Sequence, residues 1–228
     1  MISEVTFARN YSAFWFEYAP WLKNYVNSVN TELANQLYPP LNSKDEPKYR
    51  SINNVVSFTL FKNITLKNNN SLTKAYSDSL TILNNYPRTN ITTYQLTTPN
   101  VDIITSMSEK LIERYKKTAI TFYPQFNGCG ILDNCQGDLL QNNTLIEIKA
   151  GERNITASDL RQILIYTALN WLANKKNISN VELFNPRMGM VWQTSLIDFI
   201  SSISDLSMED LFEQIGKHLS NLSEDIIF

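Results

Sequence analysis

Two acidic residues and one lysine lie at spacings that would bring them together on one β-hairpin. Two apolar, strand-like runs flank Asn142-Asn143, and asparagine tolerates the positive φ that a tight hairpin turn demands. A two-residue loop at this point places Asp138 directly opposite Glu147, with Cβ atoms about 4.5–5.5 Å apart. Lys149 follows Glu147 by two residues and therefore projects from the same face. The hairpin thus predicts a cluster of two carboxylates and one ammonium group.

The chemistry of such a cluster follows from its charges. Facing carboxylates repel and destabilise a hairpin unless a cation lies between them. Their oxygens suit Mg²⁺ or Mn²⁺, and the backbone carbonyl of Ile148 is a further candidate ligand. A metal held by Asp138 and Glu147 can lower the pKa of a bound water and neutralise charge on a phosphoryl oxygen, while Lys149 can orient that water or stabilise the developing charge. We therefore predict a site of phosphodiester hydrolysis; the alternative is a structural hairpin with an ion pair to Lys149 and no metal.

The rest of the composition excludes several other kinds of chemistry. His218 is the single histidine, so histidine-rich zinc sites and H-E-x-x-H proteases are excluded. The six glycines form neither G-x-x-x-x-G-K-[ST] nor G-x-G-x-x-G, which excludes the common ATP and dinucleotide loops. Cys129 and Cys135 are too few for a disulfide scaffold and are interpreted as buried free thiols.

Length and composition predict one large folded domain or two small ones. The chain has 228 residues, of which 43% are hydrophobic, and a chain of this size buries roughly 70% of the surface that it exposes when unfolded. We divide it into a mainly helical N-terminal region, 1–104, and a second region, 105–228, that carries the hairpin. Apolar spacing predicts helices across residues 11–37, with a break at Pro20. Residues 55–66 form either a strand or a short helix.

The second region alternates between helices and strands. A helix is predicted over residues 106–118, with Ser106 as N-cap and Glu109 completing a capping box. Beyond the hairpin, the pattern predicts a helix over 158–174, strands over 181–184 and 190–194, and amphipathic helices over 195–203 and 208–220. This alternation predicts an α/β fold.

The hairpin and the helix that follows it resemble the PD-(D/E)xK nuclease superfamily. Its signature is an acid at the start of one strand, then [D/E]-x-K on the next strand, then a helix. The matching residues here are Asp138 and Glu147-Ile148-Lys149, although Gly137 stands where the family's proline would be. The resemblance covers residues 105–194. It implies a restriction-endonuclease-like core, which is a small mixed sheet flanked by helices, here with a mainly helical N-terminal region.

The helix after the hairpin carries a second element of this resemblance. Gln162 and Tyr166 resemble the Q-x-x-x-Y element of the branch that includes exonuclease and repair nucleases, and their spacing puts them on one helix face. The resemblance implies that this face points back at the metal site, where both residues position DNA or the catalytic lysine. It also implies a metal-ligating glutamate on the preceding helix. Glu113 is preferred for this role, because Glu109 has the capping explanation.

The combined pattern predicts a nuclease that depends on Mg²⁺ (or Mn²⁺), with DNA as the expected substrate. By resemblance, its setting is restriction, antiviral defence or DNA processing. The net charge of −2 argues against coating of nucleic acid by bulk positive charge. A local patch must then hold the phosphate backbone, and its candidate residues are Arg153, Arg161, Lys116 and Lys117. A homodimer or a partner protein would supply further affinity.

Two alternatives of function stay open from the sequence. One is a catalytically silent nuclease-fold scaffold or binding subunit of a multi-protein complex. The other is an RNase or toxin on the same fold, because nothing in the motif reads the 2′-hydroxyl. The chain has no apolar run long enough for a membrane span and no leader pattern at its N-terminus, which predicts a cytoplasmic protein without a membrane partner.

Overall fold

A computed structural model shows an α/β protein built on one mixed β-sheet with helices on both faces. It describes residues 1–42, 44–68, 71–83, 93–116, 118–173 and 177–224. The α-helices of these ranges are α1 Glu4–Asn10, α2 Ser12–Tyr18, α3 Leu22–Ser28, α4 Arg50–Thr65, α5 Leu72–Leu83, α6 Thr98–Tyr115, α7 Ala157–Leu172, α8 Leu196–Ile203 and α9 Met208–Glu224. The strands are β1 Asn35–Gln36, β2 Ile120–Phe122, β3 Gln125–Phe126, β4 Cys135–Gln136, β5 Leu139–Gln141, β6 Thr144–Ile148, β7 Asn180–Asn185 and β8 Met190–Ser195.

Six of these strands form the main sheet, in the order β1-β8-β7-β6-β5-β2. Strands β6 and β7 are parallel, and the other neighbours in the sheet are antiparallel. Parallel neighbours need a crossover connection, and α7 supplies it between β6 and β7. Strands β3 and β4 form a separate two-stranded sheet. The predicted α/β class, with a mixed sheet flanked by helices, is therefore confirmed.

The hairpin of β5 and β6 has the predicted register. Gln141 pairs with Thr144, and Leu140 pairs with Leu145. Asn142 lies in the left-handed region with a φ of 53°, as the tight turn requires. Continuing this register beyond the start of β5 sets residue 138 against residue 147.

The described part of the N-terminal region is mainly helical, and residues 55–66 lie in or next to α4. Helices α1 and α2 share an apolar core with α7 on one face of the sheet, and α4 and α6 cover the other face. The boundary drawn after residue 104 falls inside α6. Across the described ranges, no helix has both the length and the apolar character that a membrane span needs.

Helix α6 begins earlier than the sequence predicts. Its N-cap is Thr97, and Pro99 occupies its first turn, where the missing N–H of proline costs no hydrogen bond. Ser106 therefore lies inside the helix. The prediction of Ser106 as an N-cap, with Glu109 in a capping box, is wrong.

A buried ion pair joins the N-terminal region to the sheet. The Arg187 guanidinium donates to both carboxylate oxygens of Asp45, with Nη1–Oδ1 at 3.0 Å and Nη2–Oδ2 at 3.1 Å, and both side chains are almost fully buried. Asn53 Nδ2 also donates to Asp45 Oδ2, at 2.8 Å. Arg187 Nε donates to the carbonyl oxygen of Ala150 at 3.0 Å, so the network reaches the loop that follows β6.

Replacement of Arg187 tests this link. Arg187→Met should lower the free energy of unfolding by about 3–5 kcal/mol, because the buried Asp45 carboxylate loses its bidentate partner and keeps the longer ion pair with Arg50 Nε, at 4.0 Å. Urea denaturation measures the loss. Lys217→Met, which removes an exposed pair with Glu213, is the matched control and should cost less than about 1 kcal/mol. Equal losses in the two variants would contradict a special role for the buried pair.

Candidate active site

Strand β6 presents its charged residues to the face of the sheet that α7 covers. Leu145 belongs to the apolar core shared with α7, whereas Ile146 belongs to the core on the opposite face. Because side chains alternate along a strand, Glu147 and Lys149 lie on the same face as Leu145. The Glu147 side chain is 6% exposed and the Lys149 side chain 25% exposed. Both charges are therefore held between the sheet and the helix.

Asp138 lies beside Glu147, as the predicted register requires. Its Oδ2 accepts a hydrogen bond of 2.7 Å from the backbone N–H of Ile148. Burial raises the pKa of Asp138, and the charge of Glu147 raises it further, to about 8. The two carboxylates therefore ionise together only at a cost, unless a cation joins them. The N–H and C=O of one strand residue point to the same side, so the Ile148 carbonyl also faces the strand of Asp138.

A backbone hydrogen bond before Asp138 bears on the residue type at position 137. The N–H of Gly137 donates to the carbonyl oxygen of Pro124 at 3.0 Å. A proline at position 137 would lack this donor. Local hydrogen bonding therefore favours a residue other than proline at this position.

Lys149 bridges the sheet and the helix. Its Nζ donates to Glu147 Oε1 at 2.8 Å and to Gln162 Oε1 at 2.7 Å. Burial lowers the pKa of Lys149, but the pairing with Glu147 outweighs burial and raises the pKa above its ordinary value. Lys149 therefore stays protonated. The ion pair of the structural alternative is present, so the rest of the environment must distinguish the two interpretations.

The second oxygen of Glu147 bears on that choice. Glu147 Oε2 is buried and has no hydrogen-bond partner within the described part of the chain, and burial raises the pKa of Glu147. An unpartnered buried acceptor is costly, and a cation between Glu147 and Asp138 would satisfy it. The described residues contain no group of three or more His, Cys, Asp or Glu side chains arranged to hold a metal. Two carboxylates nevertheless fit Mg²⁺, which commonly uses one or two and keeps several waters.

Helix α7 supplies the predicted pair Gln162 and Tyr166, and α1 supplies a residue that was not predicted. Gln162 Nε2 donates to the Tyr166 hydroxyl oxygen at 2.7 Å. Glu4 Oε1 accepts from the Tyr166 hydroxyl at 3.1 Å and from Gln162 Nε2 at 3.3 Å. Glu4 and Gln162 are 158 residues apart, and nothing in the local pattern around Glu4 connects them. Burial raises the pKa of Tyr166 far above its ordinary value, so its hydroxyl remains a donor.

A charged cap fixes the start of α7. Thr156 and Asp159 form a reciprocal capping box, which satisfies backbone donors that a helix start would otherwise leave free. The Arg153 guanidinium donates to both carboxylate oxygens of Asp159, at 2.6 and 2.8 Å. The Arg153 side chain remains 53% exposed. Arg153 is one of the four predicted phosphate-binding residues. It lies next to the cluster, and about half of its side chain is exposed.

The other predicted cations are placed differently. Arg161 Nη1 donates to the carbonyl oxygen of Ala8 at 3.1 Å, and its guanidinium lies 5.4 Å from the Trp15 ring centroid. It is therefore engaged inside the protein rather than offered to a phosphate. Lys116 is exposed and directly follows α6, which lies across the sheet from the cluster. Lys117 lies outside the described residues.

Glu113 is not brought to the carboxylate pair. It is on α6, which packs on the face of the sheet opposite to Asp138 and Glu147, and it forms an exposed ion pair of 3.0 Å with Lys110. Its expected role as a metal ligand therefore has no geometric basis. The glutamate that approaches the cluster from a helix is Glu4.

Comparison of the chain with protein-family models, with curated proteins and with solved structures finds no match. The class of site is therefore argued from geometry. It consists of a carboxylate pair, a protonated lysine and a helix-borne Gln-Tyr pair at the carboxyl end of β6.

Asp138→Asn tests the repulsion between the carboxylates. Asparagine keeps an oxygen for the Ile148 N–H but removes the charge. In EDTA at pH 9, where Asp138 is ionised in the folded protein, the variant should melt about 2–4 °C higher than the wild type, which corresponds to about 1 kcal/mol at this size. Mn²⁺ should stabilise the wild type and not the variant. Asp205→Asn, at an exposed position, is the control; a lower melting temperature for Asp138→Asn would contradict the assignment.

Asp159 predicts a pH-dependent contribution to stability. Burial alone would raise the pKa of Asp159, but hydrogen bonds from Arg153 and Thr156 outweigh burial and lower it. A lowered pKa stabilises the fold above the unfolded value of about 3.9, and this stabilisation disappears as the pH falls through the folded value. Asp159→Asn should therefore cost about 1–2 kcal/mol at pH 7 and clearly less at pH 3.

Urea denaturation at the two pH values measures this difference. Asp210→Asn is a matched control, because Asp210 lies in the first turn of α9 and is exposed. It should show a smaller loss at pH 7. A loss at Asp159 that is the same at both pH values would argue that packing, and not charge, explains its contribution.

Proposed function

We propose that this protein is a Mg²⁺-dependent nuclease that hydrolyses phosphodiester bonds in DNA. The observation that carries the proposal is the buried Oε2 of Glu147, which has no hydrogen-bond partner among the described residues and lies beside a second carboxylate whose pKa is raised. The protonated Lys149 contacts the other oxygen of the same carboxylate, with its Nζ 2.8 Å from Glu147 Oε1. Unsatisfied negative charge beside a fixed positive charge suits a cation and a phosphate.

The order of elements supports a restriction-endonuclease-like core. Asp138 precedes β5, Glu147 and Lys149 lie on or directly after β6, and α7 then leads to the parallel strand β7. This is the order that the PD-(D/E)xK resemblance implies, and α7 carries the Q-x-x-x-Y pair. One fold can host many different activities, so the function depends on the residues of the site.

Each side chain has a role in the proposed reaction. Asp138, Glu147 and the Ile148 carbonyl would hold the metal. When bound, Mg²⁺ supplies a Lewis acid that polarises a phosphoryl oxygen. Lys149, kept protonated by Glu147, stabilises the negative charge that develops on the phosphate. Gln162 holds the ammonium group in place.

The outer residues of the site orient the inner ones. The Tyr166 hydroxyl accepts from Gln162 and donates to Glu4, which fixes the amide that contacts Lys149. Arg153, whose side chain is 53% exposed, would bind a backbone phosphate while its guanidinium stays paired with Asp159. Because the net charge is −2, a homodimer or a partner protein supplies the remaining affinity for DNA. Restriction, antiviral defence or DNA processing is the setting that we propose.

Cleavage of supercoiled plasmid, linear duplex and single strands tests the proposal. The wild type should cut with Mg²⁺ or Mn²⁺ and not with EDTA. Glu147→Ala and Lys149→Ala should each lower the rate by at least about a hundredfold, since each removes a charge that acts on the reacting phosphate. Glu113→Ala and Lys116→Ala are matched controls, because the structure places both side chains away from the cluster, and they should retain the wild-type rate.

Three other outcomes have definite meanings. No cutting by any form, together with no Mn²⁺ binding in calorimetry, would overturn the proposal and favour a catalytically silent scaffold. Faster cutting of RNA than of DNA in a competition would replace the substrate and favour an RNase. Equal loss in Glu113→Ala and Glu147→Ala would contradict the placement of the site.

A further inference from the structure

A pocket opens directly beside the carboxylate–lysine cluster. Its volume is about 360 Å³, and Asp138 and Lys149 form part of its wall. Helix α4 also contributes to the wall, with Asn54, Val55 and Phe58. Pockets that hold small ligands measure about 300–1,000 Å³. The space is therefore sufficient for one ligand of the size of a nucleotide base with its sugar.

One wall of the pocket is aromatic. Phe58 and Tyr123 both line it, with ring centroids 5.5 Å apart. The Lys62 ammonium lies 5.0 Å from the Tyr123 ring centroid. Aromatic faces and nearby cations are the means by which proteins bind unpaired bases without reading their sequence.

The backbone of Tyr123 is held in an unfavourable conformation at this wall. Its φ is 53°, a value that bulky residues rarely adopt, and it precedes Pro124, which further disfavours a helical conformation. Its N–H donates to the carbonyl oxygen of Asp138 at 3.0 Å. Strained backbone of this kind persists where the surrounding structure fixes it, often at ligand sites. The Tyr123 conformation is thus linked directly to the residue that begins the cluster.

The loop after β6 forms another part of the wall, and hydrogen bonds to its carbonyl oxygens hold it in place. Asn54 Nδ2 donates to the Ala150 carbonyl at 3.3 Å, and Asn185 Nδ2 donates to the Gly151 carbonyl at 2.7 Å. Arg187 adds its bond to Ala150. The pocket is therefore a preformed cavity, and a ligand pays little to order this wall.

We propose that this pocket binds the base of one unpaired nucleotide next to the scissile phosphate, so that the substrate is single-stranded or has a frayed end. This inference rests on the proposed nuclease function and adds the substrate class. Two paired and stacked strands cannot enter a space of this volume. A duplex would have to release one nucleotide, which costs a few kcal/mol of unstacking and unpairing, and a single strand avoids that cost.

Binding of a fluorescent oligonucleotide tests the pocket without requiring cleavage. The probe is a single-stranded DNA with one 2-aminopurine, titrated in the presence of Ca²⁺ in place of Mg²⁺. Stacking against the partly exposed ring of Tyr123, beside the largely buried ring of Phe58, should quench its fluorescence. Phe58→Leu, which keeps apolar bulk without a ring, should weaken binding at least about fivefold, and Val55→Phe, which fills the pocket, should abolish the quenching.

The matched control makes the same substitution outside the pocket. Phe16 is 79% exposed on α2, and Phe16→Leu should bind and quench like the wild type. Melting temperatures verify that each variant is folded. Quenching that survives in both Phe58→Leu and Val55→Phe would overturn the inference, and so would equal binding of a blunt duplex and a single strand.

A second assay separates failure of this inference from failure of the proposed function. Bis(p-nitrophenyl) phosphate is a phosphodiester without a base, so its hydrolysis reports the reacting centre alone. We expect the wild type to hydrolyse it with Mn²⁺, and the ratio of single-stranded DNA cleavage to ester hydrolysis to fall at least about fivefold in Phe58→Leu. If the ester is hydrolysed and duplex and single-stranded DNA are cut at equal rates, the proposed base-binding pocket is wrong and the proposed nuclease function stands. No ester hydrolysis with intact quenching would overturn the nuclease and leave a single-strand binding pocket.

Discussion

The contact between Lys149 and Glu147 organises the site. It keeps Lys149 protonated in a partly buried position, and it uses only one oxygen of Glu147. Within the described ranges the other oxygen has no donor beside Asp138, so the pair creates a small region of unsatisfied negative charge next to a fixed cation. Gln162 then ties the same ammonium group to α7. Lys149 therefore links the Glu147 carboxylate on β6 to Gln162 on α7.

The N-terminal helices complete this arrangement from two directions. Helix α1 brings Glu4 to the Gln162–Tyr166 pair on one face of the sheet. Helix α4 covers the other face and forms a wall of the pocket beside Lys149. The buried Asp45–Arg187 pair holds the loop that follows β6, because Arg187 donates to the carbonyl oxygen of Ala150. The region assigned to residues 1–104 therefore contributes directly to the site.

In the function that we propose, these features act on a phosphodiester that is flanked by an accessible base. The cluster would act on the phosphate, and the aromatic pocket would receive the neighbouring base. Both lie at the carboxyl end of β6, where a parallel neighbour and its crossover helix leave a cleft. A site at the ends of strands in an α/β sheet is a common place for ligands, because side chains and loops from several elements converge there.

Spacing along the chain was enough to predict the hairpin register, since a two-residue turn at Asn142 leaves one pairing that opposes Asp138 and Glu147. It also determined that Gln162 and Tyr166 share a helix face, because i and i+4 positions always do. These are local relations of spacing. The tertiary structure decided that Glu4 reaches the site.

Tertiary packing also decided that Glu113 does not reach the site and that Arg161 points inward. The order of elements along the chain does not state which face of a sheet a helix will cover. Helix α6 directly precedes the strands of the hairpin region yet packs on the face of the sheet opposite to Asp138 and Glu147. Helix α1 is much farther away in sequence but packs on the same face as these carboxylates. Contacts between distant segments depend on the burial of whole apolar faces, and spacing within one segment carries no information about which faces meet.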